Sequence, residues 1–270
     1  GIGKAALMPF HRWLPSAMVA PTPVSALLHA VAVVKAGVFT VLKVVIYIFG
    51  IEFLSETGAS TWLIWVASFT LIAASIVAIM KDNLKAVLAY STISQLSYIV
   101  LGAAFANSLG ILGGGLHMAT HAIGKITLFM CAGAIYVATH KTEISDMTGL
   151  GRKMPFTYAA FTIGSLSIIG LPPFAGTWSK WYLALAAADT PTWLVIGVYM
   201  LSSLLNVWYL LSIVAKGFFA PSSEINDPLP ETIKEAPLLC VLPPCLTALG
   251  CIALFFFAEG IVDLLRPIVN

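Results

Sequence analysis

The stretch GGGLHMATHAIGKITLF, residues 113–129, lies in an apolar window that runs from residue 110 to 138. About 20 mostly apolar residues are enough for a helix to cross a bilayer, so this window predicts a membrane-spanning helix. It also carries His117, His121 and Lys125 at steps of four residues. On an α-helix the second and third residues lie about 40° and 80° round from the first, which places all three on one stripe.

The composition extends this interpretation to the whole chain. Of its 270 residues, 59% are hydrophobic and 10% are charged, against roughly 25% charged in an average soluble domain. We therefore expect a multi-pass integral membrane protein. The net charge of +2 and the lack of a basic run exclude nucleic acid as a partner. The cysteines fall in apolar stretches without a CxxC pair and are interpreted as small core or lipid-facing residues. They are Cys131, Cys240, Cys245 and Cys251.

Windows of spanning length divide the chain into about seven predicted transmembrane segments, after a partial one at the start. They run over residues 24–50, 60–80, 86–106, 110–138, 156–188, 192–219 and 237–265. No segment alternates apolar and polar residues with a period of two, which excludes a transmembrane barrel. The predicted fold class is an all-α, polytopic transmembrane helix bundle. The distribution of Lys and Arg between loops shows no clear asymmetry, so the orientation stays open.

Two proline-rich stretches predict broken helices. In IIGLPPFAGTWSKWYLAL a break is expected near residues 170–176, because proline removes a backbone donor and clashes with the preceding turn. The residues responsible are Pro172, Pro173 and Gly176. A second break is expected near residues 9–23, which hold four prolines. Broken helices at membrane depth occur only where they are packed in protein or line a wet cavity, and transporters use them for ion sites.

Lysines inside or beside the apolar segments are the main functional candidates. An intramembrane lysine costs about 2.5–3.5 kcal/mol on insertion scales, so its presence indicates function by default. Histidine changes its charge near neutral pH, so the pattern predicts a proton relay of lysines with the two histidines of the stripe. Its members are Lys4, Lys35, Lys125, Lys180, His117 and His121. Lys43 lies nearer the end of its segment, and snorkelling to the interface explains it equally well.

Other interpretations of these residues remain open. Each histidine alone is compatible with a satisfied core residue, and a zinc site at His117 and His121 lacks a third ligand at a suitable spacing. His29 lies about 120° from Lys35 on its helix, so the two are not a pair on one face, and it is a secondary candidate. The polar residues of YSTISQLS either line a water path or only bond neighbouring helices. They are Ser91, Thr92, Ser94 and Gln95.

Two groups of residues are conspicuously missing from the apolar segments. No Asp or Glu falls at the centre of a predicted span, so the buried lysines are neutral part of the time or have a partner elsewhere. No phosphate loop, haem or iron–sulfur spacing, or nucleophilic triad is present. We therefore expect no cofactor, no metal and no covalent catalysis by this chain.

Four segments, in this order and spacing, resemble one family. They are GIGKAALMPFHRWLPSAMVAPTPVSALLHAVAVVKAGVF, DNLKAVLAYSTISQLSYIVLG, HMATHAIGKITLF and GLPPFAGTWSKW. Over essentially the whole chain they resemble the antiporter-like subunits shared by respiratory complex I and Mrp-type cation/proton antiporters. That resemblance implies fourteen spanning helices in two inverted five-helix repeats, with helices 7 and 12 broken. Residues 1–220 would then form the second half-channel, from within helix 7 through helix 13. Residues 221–270 would form a polar loop and the last helix, and the first half-channel would lie upstream.

The family's functional residues match positions of this chain one by one. Lys4 matches the helix 7 lysine, which normally pairs with a glutamate on helix 5, upstream of residue 1. Lys35 matches the helix 8 lysine that links the half-channels, whereas the largest complex I subunit relies on a histidine at the place of His29. Lys125 matches the central lysine of helix 11. Lys180 matches the terminal residue of helix 12, which is lysine or glutamate in different members.

The function that the resemblance implies is proton translocation along a mid-membrane Lys/His relay. LPPFAGTWSKWYLA is most similar to the D subunit of Mrp antiporters, so the primary expectation is a subunit of a multisubunit Na⁺/H⁺ antiporter. The alternatives are a membrane-arm subunit of a proton-pumping NADH:quinone oxidoreductase, whose electron transfer occurs on other subunits, and an inactive truncated scaffold. Expected partners are other antiporter-like and small membrane subunits, lipid, protons and Na⁺, in a bacterial plasma membrane.

Overall fold

The computed structural model describes residues 1–219 and 234–269, and this part of the chain is a bundle of helices without strands. Six helices within it are long and apolar enough to cross a membrane. They are Thr22–Phe49, Thr61–Ile79, Leu84–Ala104, Ser108–Thr139, Leu194–Phe218 and Leu238–Phe256. A seventh apolar segment is divided into two shorter helices, Pro155–Ile169 and Gly176–Ala188. The predicted all-α, polytopic bundle is confirmed.

The described residues form thirteen α-helices along the chain. They are α1 (Trp13–Ser16), α2 (Thr22–Ala30), α3 (Val33–Lys43), α4 (Ile51–Thr57), α5 (Thr61–Ile79), α6 (Leu84–Ala104), α7 (Ser108–Thr139), α8 (Leu150–Lys153), α9 (Pro155–Ile169), α10 (Gly176–Ala188), α11 (Leu194–Phe218), α12 (Leu238–Phe256) and α13 (Ala258–Val269). Short 3₁₀-helices lie at Ala17–Val19 and Ile144–Met147, and a π-helix at Val44–Phe49 extends α3.

The longest helix, α7, lies at the centre of the bundle. Its 32 residues begin after Asn107, whose side-chain oxygen accepts a hydrogen bond from the Gly110 amide at 2.8 Å and so caps the helix. It packs against α2, α6, α9, α10, α12 and α13. Because neighbours surround it, polar side chains on several of its faces are removed from the bilayer and placed against other helices.

The break at residues 170–176 is present as predicted. Helix α9 ends at Ile169, Gly170 has a φ of 89°, and α10 begins at Gly176. Only glycine fits at position 176, since a Cβ there would lie 1.9 Å from the Ser167 carbonyl oxygen. The Ala175 amide donates to the carbonyl oxygen of Cys251 at 3.0 Å, which ties the broken segment to α12.

The proline-rich start of the chain also lacks a long helix. Residues 1–12 form successive turns, and α1 and the 3₁₀-helix together cover only residues 13–19 before α2 begins at Thr22. Ala5, Ala6 and Leu7 are nevertheless fully buried. The break predicted near residues 9–23 is therefore confirmed as irregular backbone that packs against the bundle.

One predicted boundary is wrong. The window 237–265 is not one span, because α12 ends at Phe256 and the amphipathic α13 follows it. Val262 of α13 is buried, while Asp263 and Arg266 form an exposed ion pair at 3.4 Å. The window 24–50 matches the span Thr22–Phe49, whose helix is interrupted between α2 and α3 at residues 31–32, where no proline or glycine marks the sequence. Most of the polar loop expected from residue 221 lies outside the described residues.

Candidate functional site

Three lysines lie inside the bundle without an acidic partner. Lys35 and Lys125 are buried, and Lys180 is partly buried. Among residues 1–219 and 234–269, no Asp or Glu is buried. The ammonium groups are therefore surrounded by neutral partners, which are imidazole, hydroxyl and backbone carbonyl groups. No fixed negative charge therefore compensates for the desolvation of these groups.

Lys125 connects α7 to two other helices. Its Nζ donates to Ser91 Oγ at 2.6 Å and to the Leu88 carbonyl oxygen at 3.3 Å, both on α6. Ser91 Oγ also lies 2.9 Å from the hydroxyl of Tyr209 on α11. Lys125 is completely buried. The hydroxyl groups of Ser91 and Tyr209 thus link the central lysine of the stripe to α11.

Lys35 and His121 form a direct contact between two basic groups. Lys35 Nζ lies 2.7 Å from His121 Nδ1, which joins α3 to α7, and both residues are buried. A hydrogen bond at this distance requires one of the two nitrogens to offer a lone pair. At least one of these two nitrogens therefore has a free lone pair, so Lys35 and His121 are not both fully protonated.

His117 joins the stripe to α10. Its Nδ1 lies 2.9 Å from Ser179 Oγ, and its ring stacks on Tyr98 with centroids 5.4 Å apart. The rings of His117 and His121 are 6.0 Å apart. The three residues that the sequence placed on one stripe therefore contact three different helices, which are α10, α3 and α6.

Lys180 occupies the gap left by the broken helix. Its Nζ donates to the Ile169 carbonyl oxygen at 2.9 Å and to Ser203 Oγ at 3.3 Å, and it lies 4.8 Å from the centre of the Tyr98 ring. The last carbonyls of a helix have no intrahelical donor and carry partial negative charge. The break at the end of α9 thus creates an acceptor, and the lysine four residues into α10 fills it.

The remaining candidates lie apart from these contacts. The Lys4 side chain is exposed, although its backbone packs against Gly37 of α3. Lys43 is also exposed, with Nζ 5.7 Å from the centre of the Phe39 ring. His29 and Gln95 are fully buried, and their polar side-chain atoms have no hydrogen-bond partner among the described residues.

Sequence reasoning missed several residues that complete the site. They are Tyr98, Ser179, Ser203, Asn206 and Tyr209. Ser202, Asn206 and Tyr209 follow one another at steps of four and three along the otherwise apolar α11, and all three are buried. That spacing places them on one helical face. The same stripe argument that identified His117, His121 and Lys125 would therefore have found this second polar face.

The geometry offers no set of ligands for a metal ion. The described part of the chain contains no cluster of three or more His, Cys, Asp or Glu side chains that could hold one. Each of the four cysteines is free, and Cys131 and Cys251 are buried.

Buried lysines joined to histidines and hydroxyls inside a polytopic helix bundle define a membrane protein with an internal row of ionisable groups. A family model described as NADH:quinone oxidoreductase/Mrp antiporter, TM, matches residues 2–206, and the chain belongs to this family. NADH-quinone oxidoreductase subunit N of Desulforudis audaxviator is 34% identical over 274 residues, which cover 97% of this chain and 54% of that relative. The chain thus spans about half the length of this relative.

Solved structures show the same fold. A chain of the Mrp complex from Dietzia sp. DQ12-45-1b matches with a TM-score of 0.86 at 22% identity, over 97% of this chain and 56% of that chain. A chain of the membrane-bound sulfane sulfur reductase, an archaeal respiratory membrane complex, matches with a TM-score of 0.86 at 28% identity, over 98% and 52%. The fold therefore occurs in more than one kind of membrane complex.

The different settings of Lys43 and Lys35 predict different effects of substitution. We expect Lys43→Ala to leave ion-coupled proton movement within about twofold of wild type, since an exposed, snorkelling lysine contributes little. Lys35→Ala should reduce the rate by about tenfold or more, because it removes the partner of His121. Fluorescent pH dyes in membrane vesicles measure both rates. Equal losses in the two variants would place Lys43 in the pathway.

Proposed function

We propose that this chain translocates protons within the membrane as a subunit of a multisubunit Na⁺/H⁺ antiporter. The proposed relay consists of Lys4, Lys35, Lys125, Lys180, His117 and His121. The observation that carries the proposal is the 2.7 Å contact between Lys35 Nζ and His121 Nδ1 in a bundle interior without a buried carboxylate. Structural lysines inside proteins are normally paired with acids, so a lysine paired with a base favours proton exchange.

The Lys35–His121 contact supports a simple transfer step. When Lys35 is protonated, it donates to the lone pair of His121 Nδ1, and the imidazole proton is on Nε2. Transfer of the shared proton leaves a neutral amine and an imidazolium, which can release its Nε2 proton to the next acceptor. Two full charges at this separation would repel by several kcal/mol even at an effective dielectric near 20. The pair therefore carries one extra proton at a time.

The same repulsion couples the other lysines to this pair. Lys125 lies one helical turn after His121 on α7, which is a rise of about 6 Å. Protonation of Lys125 therefore disfavours a second charge on the Lys35–His121 pair. A similar relation holds at the other end of the stripe, where Ser179 bonds His117 and is followed directly by Lys180. Sequential loading and unloading of these sites would move charge through the bundle interior.

Unpartnered polar atoms indicate where water completes the relay. The side-chain amide of Gln95, both ring nitrogens of His29, and the Nε2 atoms of His117 and His121 are buried without a hydrogen-bond partner in the described chain. Buried polar groups are normally satisfied by protein or by internal water. We therefore place bridging water beside these atoms. Lys4, with its exposed side chain, is the proposed member that exchanges protons with a group outside the described residues.

A second candidate is a membrane subunit of an NADH:quinone oxidoreductase. It is favoured by the name of the relative that is 34% identical to this chain over their aligned residues, subunit N of such an enzyme. In that setting the same relay would be driven by electron transfer on other subunits. In either case the proposed partners are further antiporter-like and small membrane subunits, and the proposed location is a bacterial plasma membrane.

The driving force distinguishes the two candidates. We expect inverted membrane vesicles that contain the complex to move protons when a Na⁺ gradient is imposed, with no response to NADH beyond that of vesicles lacking the complex. Measurement of the internal pH with a fluorescent dye reads both conditions. Proton uptake that requires NADH and ignores Na⁺ would favour the oxidoreductase, and the lack of proton movement under both conditions would contradict proton translocation.

A further inference from the structure

A small polar cavity opens at one end of the bundle, beside the helices that hold Lys125. Its volume is about 210 Å³, and it lies between the end of α5, the start of α6 and the last turns of α11. Its polar lining residues are Lys81, Asp82, Tyr209, Ser212 and Lys216. Side chains of both charges, together with hydroxyl groups, favour occupation of the cavity by water over lipid. A wet cavity at the end of a membrane bundle is a natural source or sink of protons.

Tyr209 connects this cavity to the interior. It lines the cavity, yet only 3% of its surface is exposed. Its hydroxyl lies 2.9 Å from Ser91 Oγ, and Ser91 Oγ lies 2.6 Å from Lys125 Nζ. The Ser91 hydroxyl therefore bridges a fully buried lysine and the hydroxyl of Tyr209, a residue of the cavity wall. Helix α6 also brings the cavity wall close to Lys125. Val87 lines the cavity, and the carbonyl oxygen of the next residue, Leu88, accepts a hydrogen bond from Lys125.

We infer that Tyr209 is the gate through which Lys125 exchanges protons with water in this cavity. The inference rests on the proposed function and adds a route of access to the relay. In one transfer, Lys125 gives a proton to Ser91 Oγ while Ser91 passes its hydroxyl proton to Tyr209, and Tyr209 passes its own proton to water. The result is a neutral Lys125, two intact hydroxyl groups and one hydronium ion in the cavity. The reverse sequence loads the lysine.

Asn206 gives the tyrosine a second orientation. The Tyr209 hydroxyl lies 2.5 Å from Asn206 Oδ1 as well as 2.9 Å from Ser91 Oγ. A phenol has a single proton to donate, so it can donate to only one acceptor at a time. With its proton turned toward Asn206, the hydroxyl can accept a proton from Ser91. If the Tyr209 hydroxyl rotates away from Asn206, its oxygen no longer faces Ser91 with a free lone pair. The bond to Asn206 therefore keeps Tyr209 in the orientation that receives protons from Lys125.

The test uses Tyr209→Phe with Tyr199→Phe as its matched control. Both residues are buried tyrosines of α11, but the Tyr199 hydroxyl has no hydrogen-bond partner among the described residues. In vesicles containing the assembled complex, Tyr209→Phe should slow proton movement by about tenfold or more, as expected for loss of a positioned proton-transfer group. Tyr199→Phe should stay within about twofold of wild type. Wild-type rates in an assembled Tyr209→Phe complex would overturn the gate.

A second measurement tests the gate if the complex that carries Tyr209→Phe fails to assemble. Ser212→Cys places a thiol in the cavity lining, and Asp146→Cys places one on an exposed position that does not line the cavity. A membrane-impermeant, negatively charged methanethiosulfonate should slow transport several-fold in the first variant and leave the second unchanged. Complete labelling of Ser212→Cys without an effect on its transport rate would overturn the gate. A wild-type complex that moves no protons would overturn the proposed function together with the gate.

Discussion

Replacement of Lys125 by methionine or by arginine is expected to reduce ion-coupled proton movement by about 100-fold or more, the scale of a lost general acid–base group. The lysine is completely buried, and within residues 1–219 and 234–269 its Nζ bonds only to Ser91 Oγ and the Leu88 carbonyl oxygen. Methionine has a similar length but holds no proton. Arginine keeps the positive charge and the donors but stays protonated in proteins. Both variants should therefore interrupt the proposed relay, which depends on the gain and loss of one proton.

The arginine variant separates a relay from a structural role. If Lys125 only ties α7 to α6, a guanidinium that donates to the same acceptors would preserve both the assembled complex and its transport. Transport at the wild-type rate in Lys125→Arg would therefore contradict the relay. The abundance of the assembled complex in the membrane, measured for each variant, serves as the control. Lys125→Ala is expected to stop transport as well, with a further loss of stability because it leaves a buried cavity.

The fold was predictable because the bilayer restricts it so strongly. Apolar windows of spanning length predicted the transmembrane segments, and the prolines at 172 and 173 predicted the gap between α9 and α10. The break between α12 and α13 was not predictable from the same window, since residues 257–265 are still largely apolar and only the spacing of Glu259, Asp263 and Arg266 marks an amphipathic helix. Hydropathy is averaged over a window, so it does not reveal a change in the direction of the helix within that window.

The common burial of the stripe residues was predictable from their spacing, but their pairings with other helices were not. Steps of four residues placed His117, His121 and Lys125 on one stripe, and all three are buried. The partner of His121 is Lys35, 86 residues away along the chain. Local spacing along one helix carries no information on which face of a distant helix packs against it. For the same reason the exposed position of Lys4 could not be read from its apolar neighbours.

The helix break predicts a second large effect, this time on stability. We expect Gly176→Ala to lower the apparent melting temperature of the solubilised complex by about 6–12 °C, which corresponds to about 3 kcal/mol of overpacking. A Cβ at this position would lie 1.9 Å from the Ser167 carbonyl oxygen, so backbone must move. The shift would also disturb Ser179, whose hydroxyl donates to the Gly176 carbonyl oxygen at 3.0 Å. A thiol-reactive dye reports unfolding through the buried Cys131 and Cys251.

Gly197→Ala is the matched control for this substitution. Gly197 lies within α11, and a Cβ there would meet nothing within 4 Å. Alanine has a higher helix propensity than glycine by about 0.8–1.0 kcal/mol, so this variant should melt at the wild-type temperature or slightly above it. Equal melting temperatures for Gly176→Ala and wild type would show that the break tolerates a side chain. Since Ser179 bonds His117 Nδ1 at 2.9 Å, a distorted break should also slow proton movement in any complex that remains folded.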